Sequence, residues 1–243
     1  GLLTGSVGWQ GIFMILLFIG ILLGIGCISF KESLPAEKRS KTGVWATFRS
    51  FGIIVHNRRY MLYVFQLAFA QGILFAYIAS SPFIIQQHYG FSPFAFSICF
   101  AVNAVAIGVA AALSVKFRRT ENGTLTGCVG MLVFAVLQMA ALYSGCGFWT
   151  YELLMFALLF MMGLTFTAST TLAMDCERRY AGAASALLGA LCFASGGIVS
   201  PLVGLGDILI STGVTFVICA VCSLLCALWA VKRTGPKVAL CRI

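Results

Sequence analysis

Few side chains in this chain can carry acid–base chemistry, because only 9% of its 243 residues are charged. The acids and histidines nearest to its long apolar stretches fall at the margins of those stretches or between them: Glu152, Asp175, Glu177, Asp207, His56 and His88. A metalloprotease or a metal-dependent phosphotransferase needs paired carboxylates or clustered histidines to hold metal and move protons. Neither arrangement is present, and the sequence also lacks a G-x-S-x-G elbow and a phosphate-binding loop. We therefore expect a protein that is not an enzyme and has no cofactor.

Three of the ten cysteines have a spacing that resembles a metal site. Cys219, Cys222 and Cys226 stand at positions i, i+3 and i+7, which lie on one face of a helix. No histidine or fourth thiolate is near them in sequence, and cysteine in an apolar segment behaves as a small apolar residue. We interpret the three as a packing stripe and expect no metal.

Uncharged polar side chains inside the apolar stretches are the remaining candidates for recognition. Such a group faces other protein or a wet cavity, because an unsatisfied one in hydrocarbon is costly. Amides beside aromatic rings would suit a cavity for apolar compounds, whereas the same amides could simply bridge helices. For the threonines, a hydroxyl bonded back to its own helix is a further alternative. The candidates for a cavity wall are Gln66, Gln71, Tyr77, Phe100, Asn103 and Thr170.

The elements that must position these residues are long and almost free of charge. Seven stretches each contain at least about 20 residues without a charged side chain, enough for a helix to cross a bilayer. They are Gly11–Phe30, Tyr60–Ile85, Phe91–Val115, Leu125–Cys146, Leu153–Met174, Ala181–Leu205 and Ile208–Val231. The short alternating strands of a membrane barrel do not occur. The sequence predicts an all-α, polytopic transmembrane helical bundle, with the lipid bilayer as its partner.

The placement of positive charge predicts the orientation of the bundle. If the first span runs from outside to inside, all 16 Lys and Arg residues fall in the inner segments 31–59, 116–124, 175–180 and 232–243. Basic residues concentrate in cytoplasmic loops of membrane proteins. We expect a multi-pass protein of the cytoplasmic, or inner, membrane with its C-terminus in the cytoplasm. This placement explains the net charge of +9 without a nucleic-acid partner.

Two segments have patterns of their own. In the loop 31–59, an apolar stripe at helical spacing predicts an amphipathic helix on the inner membrane surface. The stripe consists of Val44, Phe48, Phe51 and Val55.

In the stretch Ala181–Leu205, Pro201 removes a backbone hydrogen bond and should kink the helix toward its outer end. Together with Gly196 and Gly204 it is a candidate gate, and static packing of small residues is the alternative.

Specific motifs resemble one family. FAYIASSPFIIQQHYG at 75–90, FSPFAFSICFAVNA at 91–104 and YAGAASALLGALCFASGGIVSPLVGLG at 180–206 resemble the Bcr/CflA drug-resistance branch of the major facilitator superfamily, in its C-terminal half. SVGWQGIF near the start resembles the loop before the sixth helix of such carriers. The segment SVKFRRTENG at 114–123 keeps Arg118 and Arg119 of the basic loop signature but has no acid before them.

The resemblance implies a domain organisation. Residues 1–30 would end an N-terminal half with its sixth helix, and 31–59 would be the cytoplasmic central loop. Residues 60–231 would form the six-helix C-terminal half, followed by a cytoplasmic basic tail at 232–243. The fold would be a major-facilitator-like C-terminal half with one extra preceding helix. The sequence has no signal peptide and reads as a fragment that lacks the N-terminal half of the carrier.

The resemblance also implies a function. The chain would be part of a multidrug efflux carrier, contributing to antibiotic resistance by exporting small amphipathic compounds in exchange for protons. In the family's pattern helices seven, eight, ten and eleven line the path. With no acid expected inside a span, we place the proton-binding acid outside this chain. The alternative is a non-transporting membrane remnant or scaffold that lacks its N-terminal half.

Overall fold

The computed structural model describes residues 2–30 and 44–232, and it describes side chains from 8 to 30 and from 50 to 232. Within these residues every regular element is helical. The helices are α1 (Leu2–Ser29), α2 (Val44–His56), α3 (Arg58–Pro82), α4 (Pro93–Ser114), α5 (Thr120–Tyr143), α6 (Phe148–Cys176), α7 (Ala181–Val203) and α8 (Ile208–Lys232). A π-helical turn, Phe83–His88, extends α3, and a short 3-10 turn, Arg178–Tyr180, precedes α7.

Seven of these helices are long and apolar enough to span a membrane, as the sequence predicts. The all-α bundle is therefore confirmed. The basic tail beyond Lys232 and residues 31–43 of the predicted central loop lie outside the described residues. The helix predicted in that loop corresponds to α2, where Ile54 is fully buried against the bundle while Val55 of the predicted stripe is exposed.

Three of the helices begin at a residue whose side chain caps them, whereas α5, α6 and α7 have no side-chain cap. Asn57 accepts hydrogen bonds from the backbone N–H groups of Arg59 and Tyr60 at the start of α3. Ser92 accepts one from Ala95 at the start of α4, and Asp207 accepts from Leu209 and Ile210 at the start of α8. A side-chain oxygen at this position satisfies an N–H that the helix leaves without a partner. The caps fix the boundaries between neighbouring spans.

Helices α3 and α6 lie at the centre of the bundle, because in the most apolar 18 residues of each about half of the side chains are buried, a larger share than in any other described span. Both pack against several other helices, α6 against α4 and α5, and α3 against α7 and α8. In contrast, the part of α1 whose side chains are described, Gly8–Ser29, contributes no buried side chain to the bundle, and most of its large apolar residues are exposed. A helix that is apolar all round and unburied by protein is suited to lipid.

The two ends of the bundle differ in charge. We call the end at loops 115–119 and 177–180 the basic end, because it carries Lys116, Arg118, Arg119, Arg178 and Arg179. We call the other end, at loops 89–92, 144–147 and 204–207, the cation-free end. Buried apolar clusters lie along the bundle between them, from Tyr60 and Leu172 near the basic end to Ile84 and Tyr151 near the cation-free end.

Candidate functional site

A chain of hydrogen bonds joins three helices through Asn103. Its Nδ2 donates to the hydroxyl oxygen of Tyr77 on α3 at 3.1 Å and to Oε1 of Glu152 on α6 at 2.9 Å. Asn103 and Tyr77 are almost completely buried, with 1% and 2% of their surfaces exposed, and Glu152 is partly exposed. The sequence predicts Tyr77 and Asn103 as site residues, and the structure brings them together. We call Tyr77, Asn103 and Glu152 the amide–acid cluster.

Glu152 lies inside a span, which corrects the expectation that the spans contain no carboxylate. It is the fifth residue of α6, and its partner Asn103 stands midway along α4. Asn103 is ten residues from the start of its helix, which at about 1.5 Å per residue corresponds to about 15 Å. Glu152 itself is four residues, about 6 Å, from the start of α6, at the cation-free end. The correction is one of helix bounds: α6 begins at Phe148 and includes Glu152, which the sequence places just outside the stretch.

The reason for this error is the way in which spans are recognised. Stretches that are bounded at charged residues exclude charge by construction, so Glu152 became a boundary. The structure starts α6 earlier, at Phe148, after the glycines Gly145 and Gly147. Gly145 has a positive φ of 67°, a conformation that favours glycine and ends α5. This turn signal was the observation in the sequence that could have placed Glu152 inside the helix.

Aromatic rings adjoin the amide–acid cluster. The ring of Phe100 stacks on that of Tyr77, with centroids 5.7 Å apart and planes 12° apart, and Phe96 lies 5.9 Å from Phe100. Phe100 is 37% exposed, so one side of this stack is open. The combination of ring faces, an amide and a carboxyl group is suited to compounds that have both apolar and polar parts.

Two oxygen atoms of the cluster lack a hydrogen-bond partner among the described residues. Both are buried, and they are Oε2 of Glu152 and Oδ1 of Asn103. The hydroxyl of the fully buried Tyr151, the neighbour of Glu152, is in the same position. Buried polar atoms are normally paired. The described bundle has other buried atoms without a partner, among them Gln66 Oε1 and both amide atoms of Gln138, so this feature is shared by the cluster and by other parts of the bundle.

Gln66 belongs to a separate network nearer the centre of the bundle. Its Nε2 donates to Thr165 Oγ1 and to Ser223 Oγ, each at 3.1 Å, and Cys128 Sγ lies 3.5 Å away. The hydroxyl of Ser223 donates back to the carbonyl of Gln66 at 3.1 Å. Gln66 is fully buried and joins α3 to α5, α6 and α8. This is the arrangement expected of a helix bridge.

The other predicted cavity residues lie apart from the amide–acid cluster. Gln71 is partly buried and makes no side-chain hydrogen bond within the described residues. Thr170 is partly buried too, and its hydroxyl donates to the carbonyl of Phe166 on the same helix at 2.8 Å. The structure therefore groups Tyr77, Phe100 and Asn103 and leaves Gln66, Gln71 and Thr170 elsewhere.

The ends of the bundle are tied by side chains that the sequence did not single out. At the cation-free end, the hydroxyl of Tyr89 donates to the carbonyl of Cys146 at 2.9 Å. Burial, together with this contact to Cys146, raises the pKa of Tyr89 well above its ordinary value. At the basic end, Asn57 Nδ2 donates to Glu177 Oε1 at 2.6 Å, which links the start of α3 to the end of α6.

The predicted gate residues differ in their surroundings. A Cβ atom at Gly196 would lie 2.6 Å from Phe75 Cγ, so this glycine allows α7 to approach α3 closely. Pro201 is exposed in the last turn of α7, which ends at Val203, and Gly204 is exposed beyond it. Arg118 and Arg119 are exposed in the loop between α4 and α5, and neither pairs with a carboxylate in the part of the chain that the structure describes.

Comparison with known proteins identifies the family. The sequence matches the family model of the Major Facilitator Superfamily over residues 1–201. This chain belongs to the major facilitator superfamily. It is also 35% identical over 211 residues to a Bacillus subtilis (strain 168) protein described as "Uncharacterized MFS-type transporter YdgK". The predicted membership in this superfamily of transporters is confirmed, and the Bcr/CflA branch stays a prediction.

The match extends over most of this chain but over less of its relative. It covers 85% of this chain and 52% of the B. subtilis protein, so the chain spans about half the length of the curated relative it matches. Major facilitator carriers consist of two related halves, with the substrate site near the bilayer midplane where the halves meet. Asn103 lies at the middle of α4.

Proposed function

We propose that this chain is the C-terminal half, helices six to twelve, of a secondary carrier in the Bcr/CflA drug-resistance branch. The complete carrier exports small amphipathic compounds across the inner membrane in exchange for protons and so contributes to antibiotic resistance. In this proposal α1 is the sixth helix, α3 to α8 are the seventh to twelfth, and the basic end faces the cytoplasm. The positive-inside distribution of Lys and Arg supports this orientation.

The observation that carries the proposal is the amide–acid cluster with its aromatic neighbours. Tyr77, Phe100 and Asn103 come from α3 and α4, which correspond to helices seven and eight, and Glu152 comes from α6, the tenth. Helices seven, eight and ten are among those that line the path in the family's pattern. A partly exposed ring beside polar atoms offers an apolar compound a surface for contact and an amide or carboxyl group for orientation.

Substitution of Asn103 tests the proposed cavity wall. In the complete carrier, expressed in an efflux-deficient bacterium, Asn103→Leu should change the range of exported fluorescent compounds or lower their export several-fold. Membrane abundance should stay near normal, because leucine is close in size and apolar. Export is measured from energised cells with and without a protonophore, which collapses the proton gradient.

A matched control uses the same chemical change elsewhere. Asn122→Leu replaces an exposed asparagine near the start of α5 and should leave the compound range unchanged. Equal export by the Asn103→Leu variant and the wild type across the panel would return Asn103 to a packing role. A wild-type carrier without protonophore-sensitive export of any compound would contradict the transport proposal itself.

A further inference from the structure

The contact between Asn103 and Glu152 leaves two oxygen atoms that only accept hydrogen bonds. Asn103 Nδ2 donates to Glu152 Oε1 at 2.9 Å and to the hydroxyl of Tyr77 at 3.1 Å, which uses both of its hydrogens. An acid whose oxygen receives an amide N–H is favoured in its ionised form. The atoms left over are Oδ1 of Asn103 and Oε2 of Glu152, and neither has a partner among the described residues. Both are acceptors in this form, so a hydrogen-bond donor is what would complete the contact.

No described positive side chain offsets the charge of Glu152. The Lys and Arg residues whose side chains are described lie at the basic end: at the start of α3, in the loops 115–119 and 177–180, and at the end of α8. Glu152 lies at the cation-free end, in the second turn of α6. The ion pair within the described side chains, between Arg178 and Asp175, is also at the basic end. A carboxylate in an apolar environment is costly without a partner, and a positively charged ligand would supply one.

Aromatic rings adjoin the two oxygen atoms. Tyr77, whose hydroxyl accepts from Asn103, stacks on Phe100 with the ring centroids 5.7 Å apart, and Phe96 lies 5.9 Å beyond Phe100. Phe100 and Phe96 precede Asn103 by about one and two helical turns, so the rings and the amide lie on one side of α4. Phe100 is 37% exposed, which leaves part of this surface open. The faces of such rings attract cations as well as apolar groups.

We infer that this contact is a recognition site for protonated amines, that is, ammonium ions with at least one N–H group on an apolar or aromatic body. The charged nitrogen donates to Glu152 Oε2 and Asn103 Oδ1, and the ring of Phe100 contacts the apolar body. Both oxygen atoms are covered in this structure, so the Glu152 side chain, which is partly exposed, moves aside on binding. The inference rests on the proposed function for its role, and it names the class of compound that the cavity wall selects.

The two acceptors predict a preference among compounds of similar shape. A protonated amine has both a charge and N–H donors, so it forms charge-assisted hydrogen bonds with the carboxylate. A quaternary ammonium ion retains the attraction to the acid and to the ring faces, but it has no N–H group for either oxygen. A neutral alcohol has a donor and no charge. We therefore expect the amine to bind more tightly than both of the others.

Binding to the purified complete carrier tests this preference without any need for transport. The probes share a naphthyl ring, whose fluorescence reports binding: naphthylmethylamine, its quaternary N-trimethyl derivative and naphthylmethanol. At neutral pH, where the amine is protonated, it should bind about tenfold more tightly than either of the others, a difference of about 1.4 kcal/mol. An amine that binds no more tightly than its two analogues would overturn the inference.

Substitutions separate the contributions of the two oxygen atoms. Glu152→Gln keeps the shape of the side chain and removes its charge, so the affinity for both cations should fall about tenfold while naphthylmethanol binds as before. Asn103→Leu removes Oδ1 and should weaken binding of the amine more than that of the quaternary ion. Glu121→Gln makes the matched change in an acid of the first turn of α5, at the basic end, and should leave all three affinities as they were. Unchanged amine binding in Glu152→Gln would contradict the assignment.

Export of the same probes by energised cells distinguishes failure of the inference from failure of the proposed function. Protonophore-sensitive export in which Glu152→Gln handles the amine like the wild type would leave the carrier standing and overturn the amine site. Selective binding of the amine without such export would contradict the transport function and retain the site. Binding of naphthylmethanol shows that a variant is folded. If Glu152→Gln does not bind it, the comparison of probes in the wild type and in Asn103→Leu decides the question.

Discussion

Two buried amides of the bundle differ in their partners. Gln66 donates to hydroxyl groups of neighbouring helices, and those hydroxyls also have backbone acceptors of their own. Asn103 donates to a tyrosine hydroxyl and to the carboxyl group of Glu152. The amide oxygens of both residues are buried without a partner among the described residues, so the amides differ in the kind of group they bind and not in how many of their atoms are paired.

At the residue scale, Gln66→Leu should lower stability without changing the compound range. It removes the bonds to Thr165 and Ser223, each worth about 0.6 kcal/mol between membrane helices, so the expected loss is about 1 kcal/mol. Thermal unfolding in detergent measures it. Gln71→Leu makes the same change where the described residues provide no hydrogen bond, and it should leave the unfolding temperature as it was. Normal stability combined with lost export would assign Gln66 to the cavity instead.

At the scale of helices, close contacts occur on only part of the face that the sequence pattern indicates. The small residues of α7 suggest a close-packed face, and Gly196 does lie close to Phe75, whereas Gly182 and Gly189 have no atom within 4 Å of an added Cβ. Gly127 on α5 would place a Cβ 2.8 Å from the backbone of α6, and Gly163 on α6 would place one 2.9 Å from Ala110 on α4. Thus α6 is packed closely between α4 and α5 at glycines, and on α5 these include the G-x-x-x-G pair Gly123 and Gly127.

This packing predicts opposite effects of one substitution at two glycines. Gly127→Ala should destabilise the protein by about 1–3 kcal/mol, because backbone atoms of α6 must move to admit the methyl group. Gly189→Ala fills open space within a helix and should be neutral or stabilising by up to about 1 kcal/mol. Unfolding temperatures of the two variants provide the comparison. Equal stability would show that α5 and α6 can separate freely at Gly127.

Composition and charge predicted the helices well, because each must be long and apolar to cross a bilayer and the fold repeats that requirement seven times. The rule that polar side chains inside an apolar stretch face protein or a cavity placed Tyr77 and Asn103, with the neighbouring ring of Phe100, among the site candidates. The position of Glu152 depends on where α6 starts and on which helix faces it, and neither follows from periodicity in a helix that is apolar on all sides. The hydrogen-bond partners of Gln66 lie on three other helices, and their identity likewise depends on how the helices pack.

At the scale of the whole molecule, the proposed function requires a second half. Alternating access moves one repeat against the other around a substrate site at their interface, and α3 to α8 form one such repeat. The B. subtilis relative is about twice as long as the region that it shares with this chain. In the proposed function Tyr77, Phe100 and Asn103 provide one wall of a site, and one wall moves nothing uphill without an opposing wall.

We therefore expect that residues 1–243 alone do not drive uphill efflux. The chain is expressed in an efflux-deficient bacterium, and export of a fluorescent lipophilic cation is followed in energised cells. Export should stay at the level of cells without the chain, whereas co-expression with an N-terminal half should restore it, because the two walls then enclose the site. The amount of chain in the membrane is measured in both strains, so that absence of the protein is not read as inactivity. Export by residues 1–243 alone that a protonophore abolishes would contradict the need for a second half.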